Sequence, residues 1–140
     1  MLQLRVAGPH EAGWINERYA AVEFIPSDLA RETVVVAEID GAPAGLGRLV
    51  PLDDDTYELG GMLVFEAFRG RGIARAIVDE LLRRAKGRVV YCIPFAELES
   101  FYAGAGFVRV DDAPQLREKL AWCRGTYAKS VVLMRHGSAP

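Results

Sequence analysis

Apolar and polar positions alternate from Leu2 to Val6, which predicts a first strand, and the stretch from Pro9 to Ala21 then spaces Ala12, Ile15 and Tyr19 at helical intervals, with Val22 just beyond. Pro26 stops propagation of that helix, and Ser27 or Asp28 is suited to cap a short turn after it. Thr33 to Ile39 is a β-branched run. Asp40-Gly41 is a two-residue hairpin signal, and Ala44 to Val50 supplies the returning strand. After the solvated Asp53-Asp54-Asp55 loop, Tyr57 to Phe65 reads as a further strand. Gly60-Gly61 inside it points to a bulge or to a close backbone approach.

The strongest helical pattern follows, with Ala74, Ile77, Val78, Leu81, Leu82 and Ala85 on one face and Gly87 as the stop. Arg88 to Ile93 predicts a short central strand, and Ala96 to Ala103 a helix closed by Gly104 and Gly106. Phe107 to Val110 is a brief strand, Pro114 to Arg124 a helix with proline near its first turn, and Ser130 to Arg135 a last strand. The order β-α-β-β-β-α-β-α-β-α-β predicts an α/β or α+β fold, a mixed sheet with helices on its faces.

The chain of 140 residues is expected to form one domain over residues 1–140. Its 51% hydrophobic and 26% charged residues match an ordinary globular protein. No apolar run reaches the length of a membrane span. Met1 to Pro9 lacks the features of a secretory signal, so the expected location is the cytoplasm. Cys92 and Cys123 are too few for a disulfide framework and wrongly spaced for zinc. They are expected to be core thiols, and no metal is expected. His10 and His136 lie near the two ends and are expected at the surface, and no serine elbow accompanies them. The net charge of -2 and the scattered basic residues give no nucleic-acid footprint.

One basic cluster changes the picture. Between the strand ending near Val64 and the helix beginning near Gly72 lies Arg69-Gly70-Arg71-Gly72-Ile73-Ala74-Arg75. A helix N-terminus offers unpaired N–H groups, glycine lets an anion approach them, and arginines add charge that can fork onto phosphate oxygens. A Walker A turn would end in Gly-Lys-Ser/Thr, and a Rossmann turn starting at Gly70 would carry Gly or Ala where Arg75 stands, so both forms fail.

The turn resembles that of the GNAT superfamily of acyl-CoA N-acyltransferases, whose signature Gln/Arg-x-x-Gly-x-Gly/Ala is matched by Arg69-x-x-Gly72-x-Ala74. The hydrophobic strand end Met62-Leu63-Val64 stands before it as in that family. The resemblance spans roughly residues 2–110 and is most specific over 57–107. It implies a mixed, mostly antiparallel sheet, acetyl-CoA as co-substrate with its pyrophosphate on residues 69–75, and pantetheine along Met62, Leu63 and Val64, where the strand splays from its neighbour. Phe101-Tyr102-Ala103-Gly104-Ala105-Gly106-Phe107 is similar to the family's Tyr-x-x-x-Gly-Phe segment, and gives Tyr102 the role of protonating the departing thiolate. The Asn that the family often carries before this tyrosine is Phe95 here.

An attacking amine must lose a proton, and Glu58, on the strand that would hold the thioester, is the candidate base, with Glu38, Glu66 and Asp111 also available. Direct transfer to a primary amine of a small molecule, by way of a ternary complex, is the expected reaction. A catalytically silent CoA-binding module and a protein or peptide N-acetyltransferase are the alternatives. The acceptor pocket is expected from residues 14–30 and 111–129, with Tyr19 and Phe24 as candidates. Arg48, on the neighbouring strand, is a candidate partner for an acceptor carboxylate, or else a solvated strand arginine. The 25 or so residues from Leu116 through Tyr127 and the last strand faintly resemble N-acetylglutamate-synthase-like members. Pairing of two copies as a homodimer is compatible with the sequence.

Overall fold

The computed structural model describes residues 1–137. Its strands are β1 (Leu2–Val6), β2 (Thr33–Ile39), β3 (Ala42–Pro51), β4 (Thr56–Val64), β5 (Val89–Cys92), β6 (Val108–Arg109) and β7 (Met134–His136). Its helices are α1 (Ala12–Ala21), α2 (Ile73–Ala85), α3 (Glu99–Gly104) and α4 (Arg117–Thr126), and short 3-10 turns precede each of them. The strands form one sheet in the order β1-β2-β3-β4-β5-β7-β6. All neighbours are antiparallel except β4 and β5. The mostly antiparallel α/β architecture expected from the sequence is the one observed.

Strand alternation sends side chains to two faces, and each face has its own cover. On one face Val35, Ala37, Leu49, Leu59 and Val90 meet Ile73, Ile77, Val78, Leu81 and Ala85 of α2, together with Tyr102 of α3. The stripe of α2 runs through Ile73 rather than Ala74, and Leu82 lies only half-buried at its margin. The other face has two covers. α1 brings Ile15 and Tyr19 onto Val34, Val36 and Leu46, while α4 brings Leu120 and Cys123 onto Val89, Tyr91 and Leu133. Among the described residues, a gap lined by Phe24 and Ile25 after α1 and by Lys119 and Trp122 of α4 lies between these two covers.

Two irregularities in β4 shape this gap. Leu46 opposes Leu63 and Arg48 opposes Gly60, so Gly61 and Met62 together face Gly47, a β-bulge with Gly61 at φ +58°. Pairing between β4 and β5 runs only from Thr56↔Val89 to Glu58↔Tyr91 and then stops. Beyond Glu58, β4 has a free edge on that side. The last strand is shorter than the sequence suggests, because Val131 makes only an isolated bridge to Phe95 and Val132 a single bond to Pro94. Among the described residues, no helix is long and apolar enough to cross a membrane.

Candidate active site

The fork between β4 and β5 opens into a cavity of about 190 Å³. Its lining comes from distant parts of the chain: Phe24 and Ile25 after α1, Arg48 on β3, Glu58 and Met62 on β4, Cys92 on β5, Tyr102 on α3, and Lys119, Trp122 and Cys123 on α4. Both segments expected to form an acceptor pocket, 14–30 and 111–129, therefore reach it.

Glu58 is 4% exposed, so it is a buried carboxylate at the fork rather than a solvated residue at a strand start. Its partner is Lys119, whose Nζ lies 2.8 Å from Oε1 and 2.7 Å from Oε2. Sequence reasoning named the segment that holds Lys119 but not the residue. The available signal was the spacing of Lys119, Trp122 and Cys123, which puts all of them on one helical face.

Arg48 is buried at 5% exposure. Its Nη1 donates to the Ile25 carbonyl and to the Ser27 hydroxyl, each at 2.7 Å, and its guanidinium lies over the Tyr19 ring at 4.8 Å. The loop after α1 thus locks the side chain in place, while its buried Nε has no hydrogen-bond partner among the described residues. The reading of Arg48 as a solvated strand residue is excluded. Tyr19 requires a correction as well: it is fully buried behind the cavity wall, and its hydroxyl donates to the Gly61 carbonyl. It braces the bulge and does not line the cavity.

Tyr102 is 5% exposed and sits among Phe101 and Phe107 in edge-to-face contacts, with ring centroids 5.0 and 5.7 Å away. It belongs to the core and also borders the cavity. Burial first, and then neighbouring Cys92, push its phenol above the ordinary range, so the hydroxyl keeps its proton. Burial likewise pushes the Cys92 thiol up, with the charge of Glu58 adding to it. A thiol held protonated in this way is a poor nucleophile. His136 is half-buried against Phe107 at 5.4 Å, less exposed than its place near the chain end suggests.

β4 leads from the cavity to the basic turn. Leu63 and Val64 pair with Leu46 and Gly45 on one side, which leaves their other edge free, with Met62 bordering the cavity. Arg69, Gly70, Arg71 and Gly72 are exposed, Ile73 is buried as the first residue of α2, and Ala74 is half-buried. Gly72 caps α2 at φ +74° with no side-chain hydrogen bond to the helix amides. A Cβ built on Gly70 or Gly72 meets nothing within 4 Å, so the helix start is open as well as uncapped. Arg71 leans over the Phe68 ring and Arg75 pairs with Asp79 at 3.0 Å. An open, uncapped helix N-terminus with arginines around it, downstream of a strand with a free edge, suits a pyrophosphate followed by an extended amide-bearing arm.

The family described as Acetyltransferase (GNAT) family matches residues 5–107. The chain belongs to the GNAT acetyltransferase family. Solved structures of other proteins share its fold at low identity. Rv2747 from Mycobacterium tuberculosis, in complex with CoA and NLQ, is 22% identical with a TM-score of 0.78, over 98% of this chain and 99% of that one. A GNAT acetyltransferase from Elizabethkingia anophelis with acetyl-CoA bound is 14% identical with a TM-score of 0.72, over 98% of each chain. N-acetylglutamate synthase from Neisseria gonorrhoeae, complexed with coenzyme A and N-acetyl-glutamate, is 14% identical with a TM-score of 0.75, over 97% of this chain and 35% of that one. No curated protein matches the chain in sequence. Among the described residues, no group of three His, Cys, Asp or Glu is placed to hold a metal.

Proposed function

We propose that this GNAT member transfers an acetyl group from acetyl-CoA to the primary amine of a small molecule, an amino acid in particular, by direct transfer while both substrates are bound. The observation that carries the reading is the meeting of a buried carboxylate, Glu58, and a buried protonated phenol, Tyr102, on one cavity at the β4–β5 fork. The amides and arginines of residues 69–75 hold the pyrophosphate, and the free edge of Met62, Leu63 and Val64 guides the arm toward the fork. The cofactor supplies the activated acetyl group.

Glu58 accepts a proton from the amine, directly or through one water, as the nitrogen–carbon bond replaces the carbon–sulfur bond. Tyr102 donates to the departing sulfur. Because burial raises its pKa, its contribution is a hydrogen bond that strengthens as charge grows on sulfur, rather than an evenly balanced proton exchange. Cys92, held as a thiol, is left out of the chemistry. Arg48, held by the Ile25 carbonyl and the Ser27 hydroxyl, borders the cavity and adds positive charge that favours a carboxylate on the acceptor. The synthase complexed with N-acetyl-glutamate is consistent with an amino acid as acceptor.

The experiment is a thiol-release assay with small amines, comparing the protein with its Glu58→Gln variant. A fall in kcat on the order of a hundredfold to ten-thousandfold with acetyl-CoA affinity held is expected. Unchanged turnover would remove Glu58 from the reaction, and an absence of turnover in both proteins despite acetyl-CoA binding would favour a CoA-binding module.

A further inference from the structure

Glu58 cannot act on an amine while Lys119 holds it. The Lys119 Nζ covers both carboxylate oxygens, at 2.8 and 2.7 Å, and the carboxylate side chain is only 5% exposed. An acceptor arriving as an ammonium ion therefore meets the positive charge of Lys119 at Glu58. That repulsion opposes its approach, and simple expulsion of Lys119 would break a part-buried ion pair with nothing in return.

A carboxylate on the acceptor changes the exchange. The acceptor's ammonium group takes the place of Lys119 on Glu58, and Lys119 takes the acceptor's carboxylate, so one ion pair becomes two. Lys119 is built for such a move. Its side chain is 29% exposed, it stands in the first turn of α4 on a flexible stem, and it shares the cavity wall with Trp122 and Cys123 one turn further on. Arg48 also borders the cavity and adds a second cation, so two cations and one carboxylate share the same space.

We infer that Lys119 is a specificity-determining gate on Glu58, opened by a carboxylate on the acceptor, so that the site takes α-amino acids or similar carboxylate-bearing amines and rejects amines that lack the carboxylate. This rests on the acetyl-transfer reading above. Lys119 acts through Glu58 and through the acceptor's charge. Its effect is on the choice between acceptors rather than on the thioester.

The test pairs each L-amino acid with the amine left by its decarboxylation, phenylalanine with phenethylamine and leucine with 3-methylbutylamine among them, and measures kcat/KM for thiol release. The unaltered protein should prefer its best acid over the matched amine by about a hundredfold or more. Lys119→Met should shrink that ratio to about tenfold or less, the acid losing and the amine gaining, and Lys119→Arg should keep most of it. Calorimetry gives a second readout without turnover: the N-acetylated best acid should bind the CoA-loaded protein at least about tenfold more weakly after Lys119→Met. Circular dichroism melting checks that the variants are folded. Equal turnover of acids and amines by the unaltered protein, or a ratio and a product affinity that Lys119→Met leaves unchanged, would overturn the gate while leaving acetyl transfer standing. A lack of thiol release with every acid and every amine, despite bound acetyl-CoA, would overturn both.

Discussion

The Tyr19 hydroxyl donates to the Gly61 carbonyl at 2.9 Å, a contact across 42 residues of sequence that fastens α1 to the bulge of β4. Gly61 has φ +58°, and a Cβ there would lie 2.6 Å from the Tyr19 hydroxyl and 2.9 Å from Arg48 Nε. The bulge, the brace and the buried arginine are thus one packing unit. Gly61→Ala should destabilise the protein by about 1–3 kcal/mol. It should also raise the acceptor KM more than the acetyl-CoA KM, because Arg48 must shift. Denaturant midpoints and steady-state kinetics measure the two effects, and a variant with unchanged stability and unchanged acceptor KM would dissolve the unit.

Gly72 caps α2 in the left-handed region, where a β-branched residue is strained, and its surroundings are open enough for an anion. Gly72→Val should weaken CoA binding on the order of a hundredfold or more while the fold survives at a cost of about 1–3 kcal/mol. Calorimetry on the folded variant decides it. Undiminished affinity would move the pyrophosphate elsewhere.

Tyr102→Phe removes only a hydroxyl and keeps the ring contacts with Phe101 and Phe107. We expect kcat to fall on the order of tenfold to a thousandfold with little change in acetyl-CoA affinity or melting temperature. Unaltered turnover would leave Tyr102 as a packing residue alone.

Glu11 offers a test of the fold that is independent of the site. Two hydrogen bonds from Arg5, at 2.8 and 2.7 Å, hold its carboxyl down to about 2 against the opposing effect of burial, with the Gly8 N–H and the Trp14 indole assisting. A carboxyl depressed in the folded state stabilises it above its ordinary range, and that contribution fades as the pH falls from about 4.5 to about 2. Glu11→Gln should therefore cost about 1–2 kcal/mol at neutral pH, discounted because Arg5 is part-exposed, and almost nothing near pH 2. An equal cost at both pH values, from denaturant titrations, would refute the ion pair as its source.

Local patterns carried most of the fold. The spacing from Ile77 to Ala85 specifies α2, and Asp40-Gly41 specifies the β2–β3 turn, because each depends only on near neighbours. The basic turn was legible for the same reason. Tyr19 was misplaced because helical spacing shows that a residue faces inward without showing whether a loop leaves it at a cavity or behind one. Lys119 was missed because its meaning lies in Glu58, 61 residues away, and only the approach of α4 to the β4–β5 fork brings the two together.

The proposed reaction takes the acetyl group from acetyl-CoA to a small amine at this fork. Acetyl-CoA carrying a ¹³C-labelled acetyl group, incubated with the protein and a panel of amino acids, polyamines, aminoglycosides and peptide N-termini, tests it directly by mass spectrometry. Labelled N-acetyl amino acid and free CoA should form in equal amounts, with both lost in Glu58→Gln. Label that appears only on polyamines, aminoglycosides or peptides, or that never leaves CoA although CoA is bound, would contradict it.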